Sequence, residues 1–451
     1  MTKVMARAYL LAMTGLAASI GAGATTIHAQ QTDLDALLRD ADTLNWEIRA
    51  ARRAGDVAVA RVPTAGALPD PMLGAGIMNF PISSPGLGND MMTMTRIELG
   101  LTLPWPGKVG IREDRAGLEA AAAGFDVEWA RRDVAARVAQ SYYRLYFIDQ
   151  ALDVAGRNRD LMEAVARLSA TRYAVGASSS EDVLRPQTEY ARLGEQILTL
   201  EAERVAEVAR INSLLSRPIG SPVSAVAMPD RIVRAVAPPN SDERPLSSDT
   251  ADAAVPSAHP PRDPLRVADL QAIAVESSPI VQAHRRRVGA QERAVALAER
   301  ETLPDFDVSA GYAYRAGPGD FFDLMISAPV PIFAGRKQSQ NVVAERAALA
   351  QQHARHEAML ADVNAEVACF ATEASRLRAR LALLAGSILP QSRAALASAT
   401  ISYEVGRSGL PTVLEAQIVL NRDELDYHRL LADFAMTVAA LERAVGAEVL
   451  P

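Results

Sequence analysis

The sequence predicts a mixed α/β membrane chain in which pairs of short amphipathic strands alternate with very long helices, the whole order occurring twice. Three observations carry this. Segments of about ten residues alternate apolar with polar or small side chains, the length and two-residue period of membrane-spanning β-strands. Proline-free stretches run far longer than one globular domain needs. And six residues of the first half, Tyr173, Val175, Gly176, Val183, Leu184 and Gln187, return at one constant offset as Tyr403, Val405, Gly406, Val413, Leu414 and Gln417. Long internal self-similarity of this kind is the mark of a repeated structural unit.

In chain order, Lys3 and Arg7 precede a run from Ala8 to Ala29 that carries no charge, so residues 1–29 read as a signal peptide cut after Ala24 or Ala29. An uncleaved anchor is the alternative, and in either case the remainder is exported. A first repeat is expected over 30–216: a helix, a strand pair at about 72–80 and 94–103, then a helical hairpin from about 108 to 216 with its tip at 173–180. Residues 217–264 read as a linker, because Pro238, Pro239, Pro245, Pro256, Pro260, Pro261 and Pro264 crowd there and helix cannot persist through them. A second repeat follows over 265–451, with a helix, strands at about 305–314 and 321–331, and a hairpin from about 336 to 447 with its tip at 403–410.

The clearest strand is Thr95 to Leu103. Ile97, Leu99, Leu101 and Leu103 point one way while Arg96, Glu98, Gly100 and Thr102 point the other, so the strand separates two unlike environments. Phe306, Val308, Ala310, Tyr312 and Tyr314, and then Phe322, Leu324, Ile326, Ala328 and Val330, repeat the pattern. Met72 to Phe80 alternates poorly and is a strand by position. Taken alone, such strands also fit a soluble antiparallel sheet with one wet face. Four strands cannot close a barrel, and lipid does not tolerate an open sheet edge, so a membrane reading requires several copies to pool strands; three copies give twelve.

From Lys108 to Arg172 there is no proline, and Val138, Leu145 and Leu152 lie at heptad spacing. At about 1.5 Å per residue this helix would be close to 100 Å long. Val413, Leu420, Tyr427, Phe434 and Leu441 form an unbroken heptad series, the seam of a coiled coil. Gly176 and Gly406 stand where a helix end needs a positive φ.

Composition excludes several functions. The net charge is −7 and cations are interspersed with anions, so there is no basic footprint for nucleic acid. Cys369, the only cysteine, allows no intrachain disulfide and is expected to be buried packing; with no cysteine near the signal cleavage site, no lipid anchor is expected. His353, His356 and Glu357 are close on a helix but lack a third fixed ligand, and Met91, Met92 and Met94 read as packing in a surface loop and strand start. No catalytic residues, no metal site and no cofactor are expected, because the chain has no nucleophile elbow, phosphate loop or zinc-protease helix.

Pro69-Asp70-Pro71-Met72-Leu73-Gly74 and Pro104-Trp105-Pro106-Gly107-Lys108, together with the paired tips Tyr173-Ala174-Val175-Gly176 and Tyr403-Glu404-Val405-Gly406, resemble the TolC-like outer membrane factor family over nearly the whole mature chain. The first two segments look most like its heavy-metal efflux branch. The resemblance implies a trimeric 12-stranded β-barrel, four strands per chain, continuous with a long α-helical coiled-coil periplasmic tunnel. Such a homotrimer sits in Gram-negative outer-membrane lipid and docks onto a periplasmic adaptor protein and an RND-type inner-membrane pump. It implies adaptor contact at Tyr173, Val175, Gly176, Tyr403, Val405 and Gly406, and a periplasmic gate at Thr412 and Glu415. Thr412 departs from the family's acidic pattern there, and Asp182 is the equivalent first-half position. Ile97, Leu99, Leu101 and Leu103 would face lipid. The implied function is passive conduction of solutes, heavy-metal cations on the branch resemblance, in a tripartite efflux system. A drug or protein export duct of the same family and a non-channel periplasmic coiled-coil scaffold are the alternatives.

Overall fold

The computed structural model describes residues 33–82, 86, 90–176, 179–224, 226–236, 265–315, 319–405 and 407–450. The expected signal peptide, the proline-rich part of the linker and Gly406 lie outside them. The first half opens with α1 (Leu34–Leu44) and α2 (Trp46–Ala65), followed by β1 (Met72–Met78), β2 (Met94–Leu103), α3 (Lys108–Ala174) and α4 (Ser180–Leu214). A short α5 (Asp230–Val236) comes next. The second half runs α6 (Val267–Ser277), α7 (Pro279–Arg300), β3 (Phe306–Arg315), β4 (Phe321–Ser327), α8 (Gln338–Leu383), a π-turn (Leu384–Ile388), α9 (Leu389–Glu404) and α10 (Leu410–Val445).

Each half opens with two helices where one was expected, and the breaks have local causes. Asn45 adopts extended backbone, and its side-chain oxygen accepts the Glu47 and Ile48 N–H groups at 2.8 and 3.1 Å, which starts α2. Its amide also donates to Leu214 O at 2.7 Å, tying the break to the end of α4. Ser278 breaks the second pair because Pro279 follows it, and the residue before proline is pushed out of helical backbone. The π-turn also borders a proline: Pro390 offers no N–H and its ring crowds the turn before it, and the helix widens there instead of stopping.

The four strands form one antiparallel sheet in the order β1-β2-β3-β4, so the sheet joins the halves through β2 and β3. β1 ends at Met78 because Asn79 takes a left-handed φ of 52°, and β4 stops at Ser327, short of Pro329 and Pro331. Helix α3 has 67 residues, about 100 Å at 1.5 Å each, and is the spine against which α1, α2, α4, α7 and α10 pack.

The main core lies midway along that spine. Val138, Tyr143, Leu145, Val281, Leu381, Phe434 and Leu441 are all buried there, contributed by α3, α7, α8 and α10. Along the α10 heptad, Leu420, Phe434 and Leu441 are buried while Val413 and Tyr427 are half-buried. Helix α5 lies within the linker. It precedes the first crowded proline, inserts Ile232 and Val236 into the core, and pairs Arg231 with both Glu442 oxygens at 2.9 and 3.2 Å.

Candidate functional site

The register sorts the sheet into two chemically distinct faces. Leu99 stands opposite Leu73 on β1 and Ala310 on β3, Ile97 opposite Ala75 and Tyr312, and Tyr312 opposite Phe322 on β4. This face is apolar from edge to edge and open to its surroundings: Leu73 is 76% exposed, Ile97 and Leu99 are each 53% exposed, and Ile326 is 67% exposed. Leu103 is exposed as well, and Leu101 is half-buried. The opposite face carries the charges. Arg96 on β2 bonds Asp323 on β4 at 2.6 Å and lies 3.3 Å from Glu98, crossing over β3 at Gly311. A Cβ on Gly311 would lie 2.6 Å from the Asp323 oxygen and 2.8 Å from Arg96 Nε, so the absent side chain makes room for the ion pair.

Below the sheet, the Pro104–Lys108 segment acts as a joint between the halves. Trp105 stacks on Phe306 with ring centroids 5.6 Å apart, and its N–H donates to Asp305 Oδ1 at 2.8 Å. Lys108, only 3% exposed, donates from Nζ to the same carboxylate oxygen and to Leu303 O, both at 2.7 Å. Arg300 donates to Pro106 O at 2.9 Å beside Gly107, whose φ of +90° starts α3. The second-half counterpart, Pro331 to Arg336, lines the far side of a groove of about 880 Å³ that Lys108 and Asp305 also line.

At the other end of the hairpins the two tips are not alike. Tyr173 and Val175 are exposed, and Gly176 closes α3 with φ +71°, its N–H bonding Tyr173 O at 2.9 Å and open space where a Cβ would go. Tyr403 is half-buried: its hydroxyl accepts from Arg172, whose guanidinium also lies 5.3 Å from the ring centroid, so this contact brings the tips together. Val405 is exposed. Of the gate residues, Asp182 is committed to a capping box, accepting from Ser179 N–H and Oγ–H at 3.0 Å each while Ser179 caps its own N–H. Thr412 and Glu415 are exposed on the first turns of α10.

Between tips and core, polar side chains interrupt the seams that α10 makes with α3 and α9. Asn158 donates to Asn421 Oδ1 at 2.6 Å and accepts from Gln417 at 2.7 Å, Ser392 donates to Asp423 at 2.5 Å, and Tyr146 shares a hydrogen bond with His428 Nδ1 at 3.2 Å. Burial pushes the Tyr146 hydroxyl up to about 12 and depresses the His428 imidazole, the latter against the opposing charge of Glu424. A depressed imidazole pKa means that the folded chain binds fewer protons than the unfolded one. The stability from neutral His428 is therefore full above about pH 6.5 and lost as pH falls from there through the folded pKa. Melting temperatures in detergent between pH 7.5 and 5 should fall less steeply for His428→Leu than for the unaltered chain. Equal slopes would show that His428 does not set this dependence.

Residues 271–447 match the model of the outer membrane efflux protein family. Over 92% of its length and 90% of the relative's, it is 22% identical to the cobalt-zinc-cadmium resistance protein CzcC of Cupriavidus metallidurans. Its fold is that of solved channels. The crystal structure of CusC superposes with a TM-score of 0.72 at 15% identity, covering 93% of each chain. The outer membrane protein VceC of Vibrio cholerae gives 0.71 at 17%, over 92% of this chain and 96% of that one.

One expectation is corrected, and some site residues were not foreseen. Cys369 is exposed on α8, not buried packing; Val363, Val367 and Ala371 take the buried positions of that stretch and leave 369 on the outer side. The heavy-metal resemblance of Trp105 and Lys108 rests on residues whose contacts are those of a joint. His353 is exposed and His356 half-buried, and among the described residues no group of three His, Cys, Asp or Glu is placed to hold a metal ion. Gly311, Asp323 and Arg96 were not singled out as a unit, since only cross-strand register brings them together.

Proposed function

We propose that three copies of this chain pool their strands into a twelve-stranded barrel in the outer membrane and their helices into a periplasmic tunnel. The duct passively carries heavy-metal cations handed over by a periplasmic adaptor and an RND-type inner-membrane pump. The observation that carries this is the sheet itself: one continuous apolar, exposed face and two edges, β1 and β4, with no partner strand among the described residues. Open edges are not tolerated in lipid, so the sheet requires neighbours, and edge-to-edge addition of copies supplies them. A soluble scaffold would need a second apolar layer over Leu73, Leu99, Tyr312 and Phe322. The cation assignment is supported by the likeness to a cobalt-zinc-cadmium resistance protein. In this reading the exposed Tyr173, Val175 and Val405 meet the adaptor, and Glu415 rings the periplasmic mouth. Asp182, held by Ser179, stiffens the first-half tip.

Purified in detergent, the protein should have the mass of three chains and form discrete cation-preferring channels in planar bilayers. Glu415→Ala should lower that preference, shifting the reversal potential in a salt gradient toward zero, with unitary conductance changed by less than about twofold. A monomer that never conducts would overturn the duct; an unshifted reversal potential would remove Glu415 from the gate.

A further inference from the structure

The foot of the sheet carries the parts of two like joints, and only one of them is closed within the chain. Leu68-Pro69-Asp70 leads into β1 as Leu303-Pro304-Asp305 leads into β3, and Phe333-Ala334-Gly335-Arg336 follows β4 as Trp105-Pro106-Gly107-Lys108 follows β2. The turns agree as well as the residue types: the Lys108 N–H bonds Trp105 O at 3.1 Å, and the Arg336 N–H bonds Phe333 O at 3.0 Å. Where β2 lies beside β3, the incoming and outgoing segments lock together. Asp305 Oδ1 accepts from Lys108 Nζ at 2.7 Å and from the Trp105 N–H at 2.8 Å, and the Trp105 ring stacks on Phe306.

The matching groups of the second joint are apart. They sit at the feet of β1 and β4, the two edges of the sheet, three strand spacings or about 14 Å from each other. Among the described residues the Asp70 carboxylate, the Arg336 guanidinium and the Phe333 N–H have no hydrogen bond or ion pair. Both charged side chains are exposed, and Phe333, the counterpart of Trp105, is 69% exposed. The helices above show the same asymmetry. Helix α7 packs against both α3 and α8 and buries Ala294 and Ala298, whereas α2 packs against α3 and leaves exposed Val59 and Pro63, which stand at the same distances before their Leu-Pro-Asp segment.

We infer that Arg336 binds Asp70 of a second copy of this chain and that Phe333 covers Pro71 of that copy, closing between chains the joint that Lys108, Asp305, Trp105 and Phe306 close within one. Adding copies edge to edge sets β4 beside the next β1 in the antiparallel sense in which β2 lies beside β3, which brings the two segments to the spacing at which Lys108 and Asp305 meet. The contact rests on the proposed duct for its ring, and it gives that ring a register. A slip of two residues keeps every side chain on its own face, so the apolar pattern alone does not hold one edge in place against the next. A charge pair with an aromatic cover at the foot of the strands does.

The test uses the full-length protein carrying Cys369→Ser, since the exposed thiol would itself react. Asp70→Cys with Arg336→Cys, treated in outer membranes with a short bis-maleimide, should give a ladder ending at three chains. Each cysteine alone should give none, and the two single variants made together should stop at two chains. Charge reversal reads the same contact without a cross-linker. Asp70→Arg and Arg336→Asp should each shorten the life of the trimer in warm detergent by about tenfold, three contacts per ring acting together, and the double variant should restore most of it. A trimeric parent that gives no ladder, and whose reversed variants live as long as it does, overturns the contact and leaves the duct standing. So does a double variant no longer-lived than either reversal alone. A parent that has the mass of one chain in detergent and gives no ladder in membranes overturns the duct, and the contact with it.

Discussion

Replacing Gly446 by alanine should destabilise the folded chain by about 2–4 kcal/mol, the sum of a strained left-handed alanine and an overpacked contact. Gly446 ends α10 with φ +79°, its N–H bonding Glu442 O at 2.9 Å. An added Cβ would lie 2.5 Å from Ser277 O and 2.8 Å from both the Ser277 carbonyl carbon and Ser278 Cα. These are backbone atoms at the break between α6 and α7, where Ser278 is fully buried, so no side chain can swing aside to make room. Gly156→Ala is the control. It lies inside α3 with open space around its Cβ position, and alanine there should be neutral or stabilising by about 0.5–1 kcal/mol. Thermal unfolding in detergent, with both variants beside the unaltered chain, reads the difference. If Gly446→Ala melts with Gly156→Ala, the close approach of α10 to the α6–α7 break is not a constraint.

The second large effect is expected at the strand-to-helix joint. Asp305→Ala should cost about 3–5 kcal/mol, because it leaves the ammonium of Lys108 buried with only the Leu303 carbonyl as a neutral partner. It also strips the Trp105 N–H of its acceptor. Lys108→Met with Asp305→Ala should recover much of that loss, since removing the buried ammonium together with its half-buried partner leaves no unpaired charge behind. The double-mutant cycle measures the coupling. Two single losses that simply add, each below about 1 kcal/mol, would show that the pair is a solvated contact and not the pin of the joint.

Much of the architecture is local in origin and was therefore legible. The alternation of Ile97, Leu99, Leu101 and Leu103 needs only the two-residue period of a strand to put four apolar side chains on one face. The heptad from Leu420 to Leu441 needs only the helix period to make a seam, and the absence of proline from Lys108 to Arg172 allows one long helix. Breaks in regular structure were less legible. Asn45 and Ser278 divide helices through a cap and a proline neighbour, local signals inside stretches that read as one helix each.

What distant parts of the chain do to one another was decided only by the tertiary structure. Nothing near Lys108 announces that its ammonium is buried against Asp305, and nothing near Gly446 announces a backbone 2.5 Å away. Arg96, Gly311 and Asp323 become a unit only because β2 pairs with β3 and β3 with β4 in one register, and a slip of one residue would turn every side chain to the other face. The same register sends Met72, Met78, Met94 and Met325 to the charged face. By itself, then, the sequence determined the periods, the faces they create and the doubled order of elements, all consequences of backbone geometry acting over a few residues. Partners, burial and charge neutralisation came from packing, which brings together residues some two hundred positions apart.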